Sequence, residues 1–221
     1  MIAEPRGILF DLDGTLLDTA PDLGNALNHI LKQLNYPEKS YDEYRVESSN
    51  GAIGMLKMGL GDNFDKFDTE ELREKFLQSY AANVCRDTRP FEGIESLIKQ
   101  IDAQHIPWGI VTNKPGFLTQ ALLAFFPVFK RCQVCFSGDS FANRKPHPEP
   151  LLKAAETLNV APQSIWYVGD AERDMEAAQA AGMVAVLARY GYLTPDELAR
   201  SWDVDLSVDS PHELCELLPG V

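Results

Sequence analysis

Residues 7–15 read Gly-Ile-Leu-Phe-Asp-Leu-Asp-Gly-Thr, and this stretch decides how the chain folds. Its first four residues form a short apolar run, which is typical of a strand buried on both faces of a parallel sheet. Two carboxylates follow immediately, at Asp11 and Asp13, where that strand must end. The stretch therefore predicts a buried strand with acidic side chains at its carboxyl end.

Similar apolar runs recur along the chain, near residues 108–112, 134–137, 165–169 and 184–187. Between them lie segments with apolar residues at helical spacing, for example Ile94, Leu97, Ile98 and Ile101. Strands that alternate with helices indicate right-handed βαβ units. We therefore expect an α/β protein with a Rossmann-like core, in which helices flank a mostly parallel central sheet.

Residues from about 21 to 84 interrupt this alternation, because they contain no convincing run for a buried strand. Apolar residues recur there at helical spacing, first at 27, 30, 31 and 34 and again at 72, 76, 80 and 84. The pattern predicts a small all-helical insertion. We expect a core domain formed by residues 1–17 and 88–221, and a helical domain formed by residues 18–87.

Composition and charge exclude several classes of partner. The chain has 33 acidic and 20 basic residues and a formal net charge of −13, so nucleic acid and anionic membrane surfaces are unsuitable partners. No apolar stretch approaches a membrane span, and the first residues do not resemble a signal peptide. We therefore expect a cytoplasmic protein with reduced cysteines, in which the Cys132 and Cys135 pair has no redox or metal role.

Polar residues follow the predicted strands at four places: Asp11-Leu12-Asp13-Gly14-Thr15, Thr112-Asn113-Lys114, Lys145-Pro146, and Gly169-Asp170 with Asp174 four residues later. The carboxyl ends of parallel strands meet at one edge of a sheet, where ligands bind. Clustered carboxylates without nearby His or Cys suit a hard cation such as Mg²⁺. The lysine and the Thr/Asn pair would satisfy phosphate oxygens, and an aspartate can attack phosphorus.

These four motifs, in this order, resemble those of the haloacid dehalogenase-like superfamily, and the resemblance covers the whole chain with a helical cap after the first motif. It implies a Mg²⁺-dependent phosphatase acting on a small phosphorylated metabolite. The layout is similar to phosphoglycolate phosphatases, while residues 108–115, residues 189–192 and Trp202 look more like N-acetylmuramic acid 6-phosphate phosphatases. A phosphomutase similar to β-phosphoglucomutase would share the core residues, so product analysis must separate the two reactions.

The resemblance also implies a role for each motif residue. Asp11 would be the nucleophile and Asp13 the general acid and base, while Gly14 would let the backbone turn sharply. The expected metal ligands are Asp11, the backbone carbonyl of Asp13, Asp170 and, directly or through water, Asp174. The expected phosphate-binding residues are Thr112, Asn113 and Lys145, and Lys145 would also neutralise charge during catalysis.

Arg45 is a further candidate because it precedes Ser48-Ser49-Asn50-Gly51-Ala52 in the predicted cap. That segment either starts a helix or forms a specificity loop, and in the second case Arg45 would bind an anionic group of the substrate. The sequence leaves the physiological substrate open, and it is compatible with either a monomer or a homodimer.

Overall fold

The computed structural model describes residues 3–199 and 202–218. The chain divides into two compact units. The first is formed by Met1–Leu17 together with Pro90–Val221, and the second by Asp18–Arg89.

The secondary structure alternates strands and helices outside the second unit. Within the described residues, the strands are β1 (Gly7–Phe10), β2 (Leu17–Asp18), β3 (Arg89–Pro90), β4 (Trp108–Val111), β5 (Val134–Phe136), β6 (Ile165–Gly169), β7 (Val184–Ala188) and β8 (Leu206–Val208). The α-helices are α1 (Ala20–Gln33), α2 (Tyr41–Arg45), α3 (Gly51–Leu60), α4 (Thr69–Ala81), α5 (Ile94–Ala103), α6 (Gly116–Leu123), α7 (Glu149–Leu158), α8 (Glu172–Ala181), α9 (Pro195–Ala199) and α10 (Pro211–Leu217). None of these helices is long and apolar enough to cross a membrane.

The first unit is built on a six-stranded sheet with the order β5-β4-β1-β6-β7-β8, and all of its paired strands run parallel. Helix α7 packs on β4 and β5, and α8 packs on β6 and β7. The α/β fold predicted from the sequence is confirmed. Strand β8 was not predicted, because its three residues, Leu-Ser-Val, are too short and too polar to stand out as a buried run.

The register of the central strands determines where the polar motifs meet. Phe10 in β1 pairs with Ile110 in β4 on one side and with Val168 in β6 on the other. The Asp11 backbone N–H then donates to the Val168 carbonyl over 2.9 Å. Because the three strands are parallel and in step, the residues that follow them emerge at the same edge of the sheet.

The second unit is helical because its apolar residues have helical spacing. Leu27 and Leu31 of α1 are buried, as are Leu72 and Phe76 of α4, and these two helices pack on one another. The Asp68 carboxylate accepts a hydrogen bond from the Glu71 N–H and so caps the start of α4.

Asp22 of α1 fixes the segment by which the chain leaves this unit. Its carboxylate is 2% exposed and accepts hydrogen bonds from the backbone N–H groups of Arg86, Asp87 and Thr88, at 3.0, 3.0 and 2.9 Å. The Thr88 hydroxyl donates a fourth bond over 2.7 Å. Residues 86–88 have no regular secondary structure, so this carboxylate replaces the partners that a helix or a sheet would provide.

We expect Asp22→Ala to lower the free energy of unfolding by about 3 kcal/mol, because three backbone N–H groups and a hydroxyl would lose a charged acceptor, two of these donors at the buried Thr88. Urea denaturation followed by circular dichroism measures the change. The control is Asp65→Ala, which removes an exposed carboxylate of the same unit and should change stability by less than about 0.5 kcal/mol. Equal stabilities of the two variants would contradict this assignment.

Candidate active site

Lys145 lies at the centre of the polar edge of the sheet, with a side chain that is 0% exposed. Its ammonium is 2.9 Å from Asp11 Oδ1 and 2.8 Å from Asp174 Oδ1. It also donates to the Val111 carbonyl over 2.8 Å and to the Tyr167 hydroxyl over 2.7 Å. One buried ammonium therefore links the ends of β1 and β4 to the middle of β6 and the start of α8.

The two carboxylates bound to Lys145 differ in pKa. Burial raises the pKa of the Asp11 carboxyl above its usual range, although Lys145 opposes this effect. Burial also acts on Asp174, but Lys145 and Arg173 outweigh it and lower the pKa of Asp174. An additional positive charge beside Asp11 would favour its ionised form, which is the nucleophilic one.

Three buried carboxylates form a group that fits a metal ion. Asp11, Asp170 and Asp174 each offer an oxygen atom, and these atoms lie within 4.8 Å of one another. All the donors are hard oxygen atoms, which Mg²⁺ prefers over softer ligands. The like charges repel one another, and a divalent cation would offset that repulsion, so the donor set fits the metal that the sequence predicted.

Asp170 is held by the two loops that flank it. Its Oδ2 accepts from the Tyr192 backbone N–H over 2.9 Å, and its Oδ1 accepts from the Thr15 hydroxyl over 3.3 Å. Glycines make this close approach possible: a Cβ at Gly14 would lie 2.2 Å from Asp170 Oδ2, and a Cβ at Gly191 would lie 2.2 Å from Asp170 Cβ. The chain therefore needs glycine on both sides of this carboxylate.

The Asp13 carboxylate is directed to a different cation. Its Oδ1 lies 2.9 Å from the ammonium of Lys114, and the two side chains are 16% and 5% exposed. The two acidic residues of the first motif are thus each paired with a lysine, Asp11 with Lys145 and Asp13 with Lys114.

Thr112 and Asn113 lie at the end of β4. The Thr112 hydroxyl accepts from the Lys114 N–H over 3.2 Å, and the Asn113 side-chain amide donates to the Lys145 carbonyl over 2.9 Å. The structure therefore brings Asn113 into contact with Lys145, while Thr112 directly follows Val111, whose carbonyl accepts from the Lys145 ammonium. Asn113 also connects the second motif directly to the third.

Arg45 belongs to the second unit, where it is the last residue of α2. It forms a side-chain hydrogen bond with Tyr41. Residues 48–50 form a short 3-10 helix, and α3 starts directly after it. The role of Arg45 in substrate binding stays a prediction.

Sequence reasoning gave no role to three residues of this cluster, Tyr167, Arg173 and Lys114. Tyr167 lies within an apolar run. A tyrosine in a buried strand indicates that a hydrogen-bond partner for its hydroxyl lies nearby, and this could have identified Tyr167 from the sequence. Arg173 stands inside the fourth motif, and the pKa of its guanidinium is raised because the nearby Asp174, Asp11 and Asp170 outweigh its burial. Lys114 lies within the second motif, which predicted a role only for its neighbours Thr112 and Asn113.

The chain belongs to the haloacid dehalogenase-like hydrolases, because residues 8–188 match the model of that family. This confirms the resemblance seen in the four motifs. Among similar proteins, a phosphoglycolate phosphatase of Xanthomonas campestris pv. campestris is 41% identical over 96% of both chains. An N-acetylmuramic acid 6-phosphate phosphatase of Pseudomonas aeruginosa is 34% identical over 96% of this chain and 94% of that protein. The crystal structure of a predicted phosphoglycolate phosphatase from Haemophilus somnus 129PT is similar, with a TM-score of 0.86, 26% identity and coverage of 98% of this chain and 99% of that one.

We expect Gly191→Ala to weaken Mg²⁺ binding by about 10- to 100-fold, because the new methyl group would displace Asp170. Isothermal titration calorimetry with Mg²⁺ measures this directly, without any substrate. The control is Gly7→Ala in β1, where the nearest atoms would lie at an ordinary 3.4 Å. Unchanged Mg²⁺ affinity in a folded Gly191→Ala protein would show that this loop does not position Asp170.

Proposed function

We propose that the protein is a Mg²⁺-dependent phosphatase that hydrolyses a small phosphomonoester through an aspartyl-phosphate, with 2-phosphoglycolate as the first candidate substrate. The observation that carries this proposal is the placement of buried Lys145 between Asp11 and Asp174, beside Asp170. A nucleophilic carboxylate, a cation and a metal-binding set are the groups that phosphoryl transfer to an aspartate requires.

Substrate binding depends on local positive charge, because the chain as a whole carries −13. In the proposed reaction, Lys145 and the hydroxyl of Thr112 bind the phosphoryl oxygens, together with the backbone of Asn113. Lys145 is held beside Asp11 by protein acceptors, so its positive charge is already in place when charge develops on the phosphoryl group.

The reaction proceeds in two transfers. The Asp11 carboxylate attacks phosphorus, the bond from phosphorus to the ester oxygen breaks, and Asp13 gives its proton to the departing oxygen. Asp13, now ionised, takes a proton from a water molecule as that water attacks the aspartyl-phosphate. Phosphate leaves, and both aspartates return to their starting state.

In this proposal Asp11, Asp170 and the backbone carbonyl of Asp13 would hold Mg²⁺. The bound ion supplies positive charge that offsets the repulsion between the carboxylates and the phosphate. Asp174 would orient the metal ligands without necessarily binding the ion itself. Its two carboxylate oxygens already accept from the Lys145 ammonium and from the Ala171 N–H.

The choice of substrate rests on relatives of this chain. Phosphoglycolate phosphatases at 41% identity favour 2-phosphoglycolate, and N-acetylmuramic acid 6-phosphate phosphatases at 34% and 35% identity make that amino-sugar phosphate the second candidate. Both substrates are small phosphorylated metabolites.

We place the protein in the cytoplasm. In that compartment the four cysteines would be reduced thiols. Burial raises the pKa of the Cys132 thiol to about 12, so it is a weak nucleophile at neutral pH, which supports an ordinary structural role for the Cys132 and Cys135 pair.

We expect kcat/KM with Mg²⁺ to be about tenfold or more higher for 2-phosphoglycolate than for N-acetylmuramic acid 6-phosphate. Phosphate release measures both reactions, and product analysis separates hydrolysis from a mutase reaction, which would yield an isomer. Asp11→Asn should lose about 10⁴-fold or more in kcat and serves as the blank for contaminating phosphatases.

The matched control for the blank is Asp65→Asn, which makes the same change at an exposed position and should keep full activity. The reverse preference would assign the amino-sugar phosphate as substrate. An isomer without phosphate release would make the protein a mutase. Turnover by Asp11→Asn at the wild-type rate would contradict the role of Asp11.

Removal of Mg²⁺ with excess chelator should abolish phosphate release, because three adjacent carboxylates would otherwise repel a phosphate dianion. Adding Mg²⁺ back should restore the rate. Activity that persists at a substantial level in excess chelator would contradict the metal-dependent mechanism.

A further inference from the structure

Lys114 is a buried cation that the reaction described above does not use. Among the described residues, two lysines are buried, Lys114 and Lys145, and both lie at the carboxyl edge of the sheet. The ammonium of Lys114 is 2.9 Å from Asp13 Oδ1. Other lysine–carboxylate pairs of this chain, such as Lys153 with Glu156, lie on the surface with side chains 51% and 72% exposed.

The backbone of Lys114 is fixed on several sides. Its N–H donates to the Thr112 hydroxyl over 3.2 Å, and its carbonyl accepts from the Gly138 N–H over 2.9 Å. A Cβ at Gly138 would lie 2.2 Å from the Asn113 carbonyl oxygen, so these two turns are in close contact. The lysine stem therefore starts from a rigid base, which limits where its ammonium can reach.

Burial of the Lys114 and Asp13 pair is not explained by stability alone. Removing two charges from water costs free energy that the attraction between them only partly offsets. Such a pair is weak evidence for a stabilising role. Lys114 lies at the edge of the sheet where the catalytic residues meet. Its carboxylate partner, Asp13, is one of the two reacting aspartates in the proposed mechanism. A functional role therefore explains its position better than stability does.

We propose that Lys114 is a positioning residue whose ammonium holds Oδ1 of the Asp13 carboxyl group, which orients Oδ2 to carry the proton to the departing ester oxygen. This inference rests on the proposed function, because it assumes that Asp13 is the general acid. Lys145 orients Asp11 in the same way, so each aspartate of the Asp-x-Asp motif is held by its own lysine. An ammonium carries three N–H donors, and it can therefore hold a carboxyl group while contacting other acceptors.

The test uses the dependence of the rate on the leaving group. An alkyl phosphate such as 2-phosphoglycolate needs a proton on the departing oxygen, whereas p-nitrophenolate leaves readily without one. We expect Lys114→Met to lower kcat/KM about 10- to 100-fold for the better of the two metabolite substrates. For p-nitrophenyl phosphate, kcat/KM should fall by less than about threefold. With this substrate kcat/KM reports phosphoryl transfer to Asp11, and a general acid accelerates that step little because the leaving group needs no proton.

A double-variant cycle tests whether Lys114 acts through Asp13. Asp13→Asn should show the same selective loss with the alkyl substrate, and adding Lys114→Met to it should cause little further loss. The matched control is Lys153→Met, which makes the same change in an exposed pair and should leave both substrates unaffected. If Lys114→Met does not fold, as judged by circular dichroism, Lys114→Gln provides the same comparison with a polar side chain.

Equal losses for the two substrates would overturn the inference, since they would show a general loss of site structure or phosphate binding. Additive losses in the double variant would overturn it as well. Failure of the proposed function is visible separately, because wild-type protein would then release no phosphate from any of these phosphomonoesters, and both proposals would fall.

Discussion

The candidate active site depends on the charge of Lys145. Without its ammonium, Asp11 and Asp174 would be two adjacent carboxylates out of contact with water, and each would be driven toward its neutral form. With it, Asp174 has a lowered pKa, and Asp11 lies in hydrogen-bonding contact with a cation. The hydroxyl of Tyr167 and the carbonyl of Val111 fix the ammonium, so the sheet itself determines where this charge lies.

The rest of the site is arranged around this pair by short loops at the strand ends. Asp170 is held by a backbone N–H and a hydroxyl, and glycines at 14 and 191 allow the neighbouring loops to approach it closely. The Asn113 side-chain amide donates to the backbone carbonyl of Lys145, so a hydrogen bond links the second and third motifs directly. Because protein groups hold these side chains in place, little reorganisation would be required for metal binding.

Much of this architecture follows from local patterns in the chain. The apolar runs at residues 7–10 and 165–169 predict central strands, because strands buried on both faces of a parallel sheet have continuous apolar sequences. Parallel strands bring their carboxyl ends to one edge, so the clustering of Asp11, Asp170 and Lys145 is also predictable. Strand β8 was not predictable from the sequence, because its three residues carry no periodic signal and its position depends on pairing with β7.

The sequence by itself determined the α/β class, the helical nature of the inserted segment and the residue types at the reactive edge, since each leaves a local signature of spacing or composition. Tertiary structure alone decided that Lys114 pairs with Asp13, that Tyr167 bonds to Lys145, and that the N–H of Tyr192 binds Asp170. The partners in these contacts are 101, 22 and 22 residues apart. No local pattern encodes such pairs, because their distances depend on strand order and on how the loops close over the sheet.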